Sequence, residues 1–399
     1  MILQRCPKAS PDTGIRTVLP EDTLKRVLPL LKAAGMEPLE NITDKDNIGI
    51  PVFSISRKTK VEGAVSNYNG KGPTQEQAMA SAVMEAMERY SAEQRDDDDV
   101  IYGTLKDAED TGFTLDPKEL ILPLRVLNYL EGAEIAWTMG FEMLRGEPLW
   151  VPAAAVFHPY FPDGDLMIHR YHTNGIAAGN TVEEAILHAL LELVERDAWS
   201  IAESFEKANA DVVIEDGVCA ELLNRFENGG VKIHLKDLTS DLGIPTIGAA
   251  SDDTVSKDPA LLSVGVGTHL NPEIAAIRAI TEVAQSRTTH KHGVKCNAKL
   301  VKINNEMGYD KVKAVNRLWY SPSAKKIKLK DMKRMDTDYV LDDIEVVLQK
   351  LVDNGFDKVI AIDLTRPETG IPVVRMIVPG LEVSTMDPER EGLRVQGRW

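Results

Sequence analysis

The chain has 399 residues, is 43% hydrophobic, and carries 62 acidic against 46 basic residues for a formal net charge of −16. That apolar content buries a real core and excludes a disordered chain, while the acid excess argues against nonspecific nucleic-acid binding, which needs positive surface for phosphates. Cys6, Cys219 and Cys296 lie far apart with no CxxC pair, against a zinc knuckle or disulfide framework and in keeping with a reducing cytoplasm, and no apolar run reaches the roughly 18 residues of a transmembrane helix.

In chain order, Gly14-Ile-Arg16 leads to an amphipathic helix beginning by about Thr23. Leu28 to Gly35 then runs to Ile42-Thr43 and Gly49-Ile-Pro51-Val52, which reads as helix, Gly cap, strand, polar turn and strand. The same pattern returns from Leu222 to Gly229, Asp237-Leu-Thr239 and Gly243-Ile-Pro245-Thr246, and again from Leu348 to Gly355, Asp363-Leu-Thr365 and Gly370-Ile-Pro372-Val373. Between these lie three helices. Thr74 N-caps the first, which holds Ala78, Ala82, Glu85, Glu88 and Arg89; Thr181 N-caps the second, with Ala185, Ala189, Glu192, Glu195 and Arg196 in the same register. Asn271 and Pro272 start the third, with Ala275, Ala279, Glu282, Gln285 and Arg287. Asp96 to Asp99 reads as a solvated turn. Residues 290–338, rich in Lys with His290 and His292, read as a surface excursion. The expected fold is mixed α/β (α+β) with βαβ-like pseudo-repeats, one assembly over residues 1–399 divided at 14–95, 96–215, 216–290 and 291–399.

Glutamates three apart share a helix face, so Glu85 with Glu88, and Glu192 with Glu195, form pairs, and Glu282 with Gln285 a third. Ala82, Val83 and Met84 in one helix, and Leu187, Leu190, Leu191 and Val194 in another, make these helices apolar nearly all round, which implies burial. Buried carboxylates need cations or hydrogen bonds, and carboxylate oxygens are preferred magnesium ligands beside substrate phosphates. An ordinary salt-bridged helix surface explains one such motif; it does not explain three copies in register with alanines and N-caps. Arg89, Arg196 and Arg287 at the ends of the pairs suit either phosphate oxygens or locking the glutamates in place. The turns Asn69-Gly-Lys71-Gly72 and Asn174-Gly175 to Asn180 offer backbone amides at helix N-termini. Neither a P-loop nor a GxGxxG fingerprint is present. His188 occupies the register of Ser81 and Arg278, as a polar neighbour of a nucleotide or a packed structural histidine. His158, His169, His172, His234 and His269 read as structural.

The order Lys71-Gly72, Ser81-x-x-x-Glu85-x-x-Glu88-Arg89, Asn174 to Asn180 with Glu184, Glu192-x-x-Glu195-Arg196 and Glu282-x-x-Gln285-x-Arg287 resembles the YcaO family from about Gly14 to Pro379. The resemblance implies a YcaO fold around a cleft for ATP and Mg2+. It implies Glu85, Glu88, Glu192 and Glu195 as metal ligands, and Arg16, Thr23, Lys71, Ser81, Asn180, Glu184, Arg196, Glu282, Gln285 and Arg287 around ATP. It places Glu85, Glu192, Glu195 and Arg287 in the catalytic set. Family members use ATP to carry off the oxygen of a backbone amide as phosphate after a nucleophile adds to the carbon. An internal Cys, Ser or Thr gives an azoline, and external sulfide a thioamide. The sequence ends at Arg398-Trp399 with no Pro after Pro388, and with the first helix beginning by about Thr23 no fused peptide-binding domain is expected. Both features resemble stand-alone archaeal members, cytoplasmic thioamide synthetases that act with a TfuA-type partner and a sulfide donor on a glycine of the methyl-coenzyme M reductase alpha subunit. A homodimer with no nucleic-acid or membrane partner is expected. Azoline formation, or a nonenzymatic ATP-binding accessory role, stays open at this point.

Overall fold

In the computed structural model, which describes residues 2–10, 14–58, 65–293 and 298–397, the pattern read from the sequence closes into hairpins. The chain opens with α1 (Pro20–Val27), β1 (Glu40–Asn41), β2 (Val52–Lys58), β3 (Val65–Lys71) and α2 (Gln75–Ser91). It continues through β4 (Val100–Gly103), α3 (Leu105–Glu109), α4 (Leu124–Leu127), β5 (Ile135–Glu142), β6 (Glu147–Pro152), β7 (Ile176–Ala178) and α5 (Val182–Ser204). Then come β8 (Ala210–Val213), α6 (Gly217–Asn228), β9 (Val231–Asp237), β10 (Thr246–Asp253), β11 (Val264–Thr268) and α7 (Pro272–Lys291). The last part holds α8 (Ala298–Met307), α9 (Tyr309–Val315), α10 (Arg317–Tyr320), β12 (Lys326–Lys328), α11 (Val340–Asp353), β13 (Ile360–Asp363) and β14 (Val373–Ile377).

Among the described residues three sheets result, in the orders β1-β2-β3, β11-β10-β9-β8-β12 and β4-β5-β13-β14-β7, with β6 on β5. Within each repeat the strands run antiparallel, because a short turn cannot make the crossover that a parallel pair needs. Each carboxylate helix follows an antiparallel pair: α2 follows β2–β3, and α7 follows β10–β11. For α5 the pair is assembled across the chain, with β7 against β14 in the register Val373 to Ala178 and Arg375 to Ile176.

The alanine stripe has a physical partner in strand glycines. A Cβ added at Gly70 would lie 2.0 Å from Ala82 N and 2.2 Å from Ala78 O; one at Gly267 would lie 2.2 Å from Ala275 O, and one at Gly265 2.4 Å from Ala279 O. Helix backbone thus rests directly on strand backbone in two repeats. The N-caps form as read: Thr74 makes a capping box with Gln77, Thr181 accepts from Glu184 N, and Asn271 accepts from Glu273 N. Residues 290–338 are a correction: they are partly built into the second sheet. β12 pairs in parallel with β8, Leu318 and Trp319 are buried, and Lys313 Nζ donates to Asp252 at 2.7 Å. Aromatic and aliphatic residues among the lysines, too sparse to show a period, anchor this stretch.

Candidate nucleotide and metal site

The three carboxylate helices meet at a cavity of about 450 Å³. Glu85, Glu88, Glu192, Glu195, Glu282 and Gln285 line it, with Arg16, Thr23, Lys71, Ser81 and Arg196. Lys71 Nζ lies 2.7 Å from Glu282, and Gln285 Nε2 donates to the Asn69 carbonyl, so the turn before α2 is tied to α7. Arg89 stands 3.3 Å from Glu88 and 3.5 Å from Glu85. Glu195, 2% exposed, accepts from Thr268 N at 3.0 Å and lies 3.5 Å from Arg196 and 3.9 Å from Arg278. Burial pushes the Glu88 carboxyl well above its usual range, against the pull of Arg89, and nearby Glu192 and Glu85 add to the rise. Burial also raises Glu192 and Glu195. Glu282 goes the other way, because Lys71 and Arg196 outweigh its burial. This is a crowd of desolvated carboxylates ready for cations.

The profile of the YcaO cyclodehydratase family, described as ATP- and Mg2+-binding, matches residues 69–382. The chain belongs to the YcaO family. A protein of Methanothermobacter thermautotrophicus is 44% identical over 389 residues, covering 96% of this chain and 98% of the relative. A protein from the tfuA 3′ region of Rhizobium leguminosarum bv. trifolii is 29% identical, covering 96% and 92%. YcaO from Methanopyrus kandleri, solved with AMPPCP and Mg2+, matches at a TM-score of 0.81 with 29% identity over 97% of this chain and 98% of that one. A heterocyclase in complex with substrate and cofactor matches at 0.82 with 25% identity over 96% of this chain, which spans 54% of that structure. The chain is thus an ATP-dependent, amide-activating YcaO enzyme of mixed α/β fold with ATP and Mg2+ as cofactors. No helix among its described residues is long and apolar enough to cross a membrane.

The YcaO cavity fits those cofactors. Its volume suits a nucleotide-sized ligand, and Arg89 Nη1, Arg196 Nε and Arg278 Nε are buried donors without hydrogen-bond partners around it. Among the described residues no three carboxylate, His or Cys groups gather closely enough to ligate one ion as they stand. Magnesium takes one or two carboxylates and fills its shell with phosphate oxygens and water, so the spread of Glu85, Glu88, Glu192 and Glu195 along two helices suits ions held jointly with ATP.

Three expected residues are not in the cavity. Arg287 is a correction: it is fully buried, 2.9 Å from Asp46 and 3.1 Å from Asp253, and its guanidinium is committed to a structural ion-pair network. The third helix turns it by one residue from the register of Arg89 and Arg196, enough to aim it elsewhere. Asn180 and Glu184 brace the wall from behind. Asn180 accepts from Thr23 Oγ1 at 3.0 Å, and Glu184 takes the Thr17 amide and lies 3.8 Å from Arg16. They act on the cavity through Arg16 and Thr23. Arg278, which the sequence places in the register of Ser81 and His188 without a role, and His269, read as structural, both line the cavity, as does His188. Arg278 Nη1 lies 3.3 Å from His188 Nε2. The signal for Arg278 was its register, four residues before Glu282 as Ser81 precedes Glu85. His269 follows β11 outside any helical register and gave none.

Proposed function

We propose that this chain converts a backbone amide of an acceptor protein to a thioamide, taking sulfur from external sulfide. The observation that carries the reading is the convergence of three carboxylate helices, in register, on one cavity with buried unsatisfied guanidinium donors. When bound, Mg–ATP supplies the γ-phosphoryl group on which the amide oxygen departs, so that amide, hydrosulfide and ATP give thioamide, ADP and phosphate. Glu85, Glu88, Glu192 and Glu195 hold the metal; the Thr268 amide fixes the Glu195 carboxylate. Arg89, Arg196 and Arg278 face developing phosphoryl charge with donors already in place. Lys71, held on Glu282, closes one edge, and Arg16 and Thr23 bring the N-terminal segment to the other.

The thioamide branch draws support from the relative beside tfuA. It also draws support from the described thiols: neither Cys6 nor Cys219 lines the cavity, and burial pushes the Cys219 thiol up to about 12. Cys296 lies outside the described residues. We assign as acceptor a glycine of the methyl-coenzyme M reductase alpha subunit, modified by a cytoplasmic homodimer with a TfuA-type partner. The test supplies chain, partner, Mg–ATP, sulfide and acceptor peptide, and reads the peptide by mass spectrometry. Replacement of oxygen by sulfur adds about 16 Da to one residue. A loss of about 18 Da would point to an azoline instead, and an unchanged peptide with ATP bound to an accessory role.

A further inference from the structure

Behind the nucleotide cavity lies a second chamber of about 40 Å³. One segment of chain divides the two: Thr173 lines the cavity, while His172 and Asn174 line the chamber. On α5 the same holds for Glu192 and its neighbour Leu193. The polar walls of the chamber are Asn174, His169, His172, Arg375 from β14, and Arg390. Asn174 is 1% exposed, His169 and Arg375 3%, and Arg390 4%.

Their hydrogen bonds do not add up internally. Arg390 Nε donates to the Ile121 carbonyl at 2.6 Å, but Nη1 has no partner. Arg375 donates through Nη1 to the His172 carbonyl at 2.9 Å, but Nε has no partner. Neither amide atom of Asn174 is bonded. His169 Nδ1 donates to the Arg170 carbonyl at 2.9 Å. Burial and the neighbouring arginines hold His169 and His172 well below their usual range, so both are neutral. Among the described residues no carboxylate lines the chamber; Glu192 and Glu88, which act on Arg375, face the other cavity, and buried Asp387, which acts on Arg390, lies outside the lining.

Buried guanidinium and amide donors without partners are costly to leave unmade, and two cations with no carboxylate among the lining residues select a negative ligand. At about 40 Å³ the chamber has room for a small, near-spherical anion. We propose that the chamber is a small-anion site whose ligand in the reaction is hydrosulfide, held one residue's thickness from the carboxylate cavity. Hydrosulfide is a monoanion of the right size that both donates and accepts weakly, matching the paired donor and acceptor of Asn174. The assignment of hydrosulfide rests on the thioamide reading.

The experiment has two arms on the full-length enzyme. Bromide-soaked crystals are read by anomalous scattering, and thioamide formation on the acceptor peptide is read against sulfide concentration. Wild type should show bromide beside Arg390 and Asn174. Arg390→Gln should lose it and raise the KM for sulfide roughly tenfold or more, the worth of one charge-assisted hydrogen bond, with the KM for ATP unchanged. Asn174→Leu, which keeps the volume, should do the same if Arg390→Gln does not fold. A wild-type chamber without bromide, or an unchanged sulfide KM in folded variants, overturns the proposal. Bromide in the chamber with no sulfur incorporated by wild type at any sulfide level would retire the thioamide reading and hydrosulfide with it, leaving the anion site standing.

Discussion

Arg287→Met should cost stability and leave nucleotide affinity alone. The guanidinium is fully buried and donates from Nε to Asp46 Oδ2 at 2.9 Å and from Nη2 to Asp253 Oδ2 at 3.1 Å. Removing one partner of a buried ion pair costs about 3–5 kcal/mol, because a desolvated charge is left behind. The two aspartates are not equally exposed to that loss. Asp46 keeps Lys291 at 2.6 Å, whereas Asp253 keeps the Ser256 amide at 2.9 Å and no cation among its hydrogen-bond partners. The lower end, about 3 kcal/mol, is therefore expected. In the wild-type fold Asp253 is held below its usual range: burial raises it, but Ser256 and Arg287 outweigh burial. A depressed carboxylate contributes stability above its unfolded pKa and loses it as pH falls through the folded pKa. Without Arg287 the deficit should accordingly narrow at acid pH, where Asp253 is protonated, and Asp253→Asn in the same chain should recover part of it. Urea unfolding at neutral and acid pH measures both effects, and ATP titration of the folded variant measures the rest. Near-native stability with a tenfold weaker ATP affinity would mean that Arg287 serves the nucleotide and that its assignment to the structural network is wrong.

Glu195→Gln and Glu192→Ala should keep the fold by circular dichroism and lower Mg-dependent ATP turnover by at least about 100-fold, the scale of a lost transition-state electrostatic group; wild-type turnover in either would remove that residue from the mechanism. The metal-free enzyme should lose stability as pH rises from about 4.5 towards about 7, because buried Glu195 is raised from the first value to about the second, so the folded state binds more protons there than the unfolded. Mg–ATP should flatten that slope in thermal melts, and an unchanged slope would separate the carboxylates from the cation. Gly70→Ala puts a Cβ 2.0 Å from Ala82 N, so α2 must lift from β3, costing about 1–3 kcal/mol and moving Glu85 and Glu88; denaturant midpoint and ATP turnover should fall together. A chain with Cys6, Cys219 and Cys296 all changed to Ala should still form product with external sulfide, and loss of product in a folded, ATP-binding variant would place a sulfur relay on the enzyme.

The local order of this protein is legible in its sequence because it is periodic. Helical register fixed the faces of Glu85 with Glu88 and Glu192 with Glu195. Thr74, Thr181 and Asn271 marked the helix starts through short-range hydrogen bonds that need no tertiary partner. The strand-turn-strand order of the repeats was legible too, but the units expected to be βαβ-like are antiparallel pairs. Tertiary structure decided what depends on distance along the chain. The pairing of β14 with β7 joins residues nearly two hundred positions apart, and no local pattern encodes it. Arg287 carries the chemistry of a phosphate ligand, yet Asp46 and Asp253, brought in from elsewhere in the fold, claim it. Arg278 and His269 entered the cavity, and Arg375 and Arg390 met behind it, because separate strands and loops converge there. A side chain's neighbours along a helix follow from 3.6 residues per turn; its neighbours across a core follow only from which surfaces bury each other.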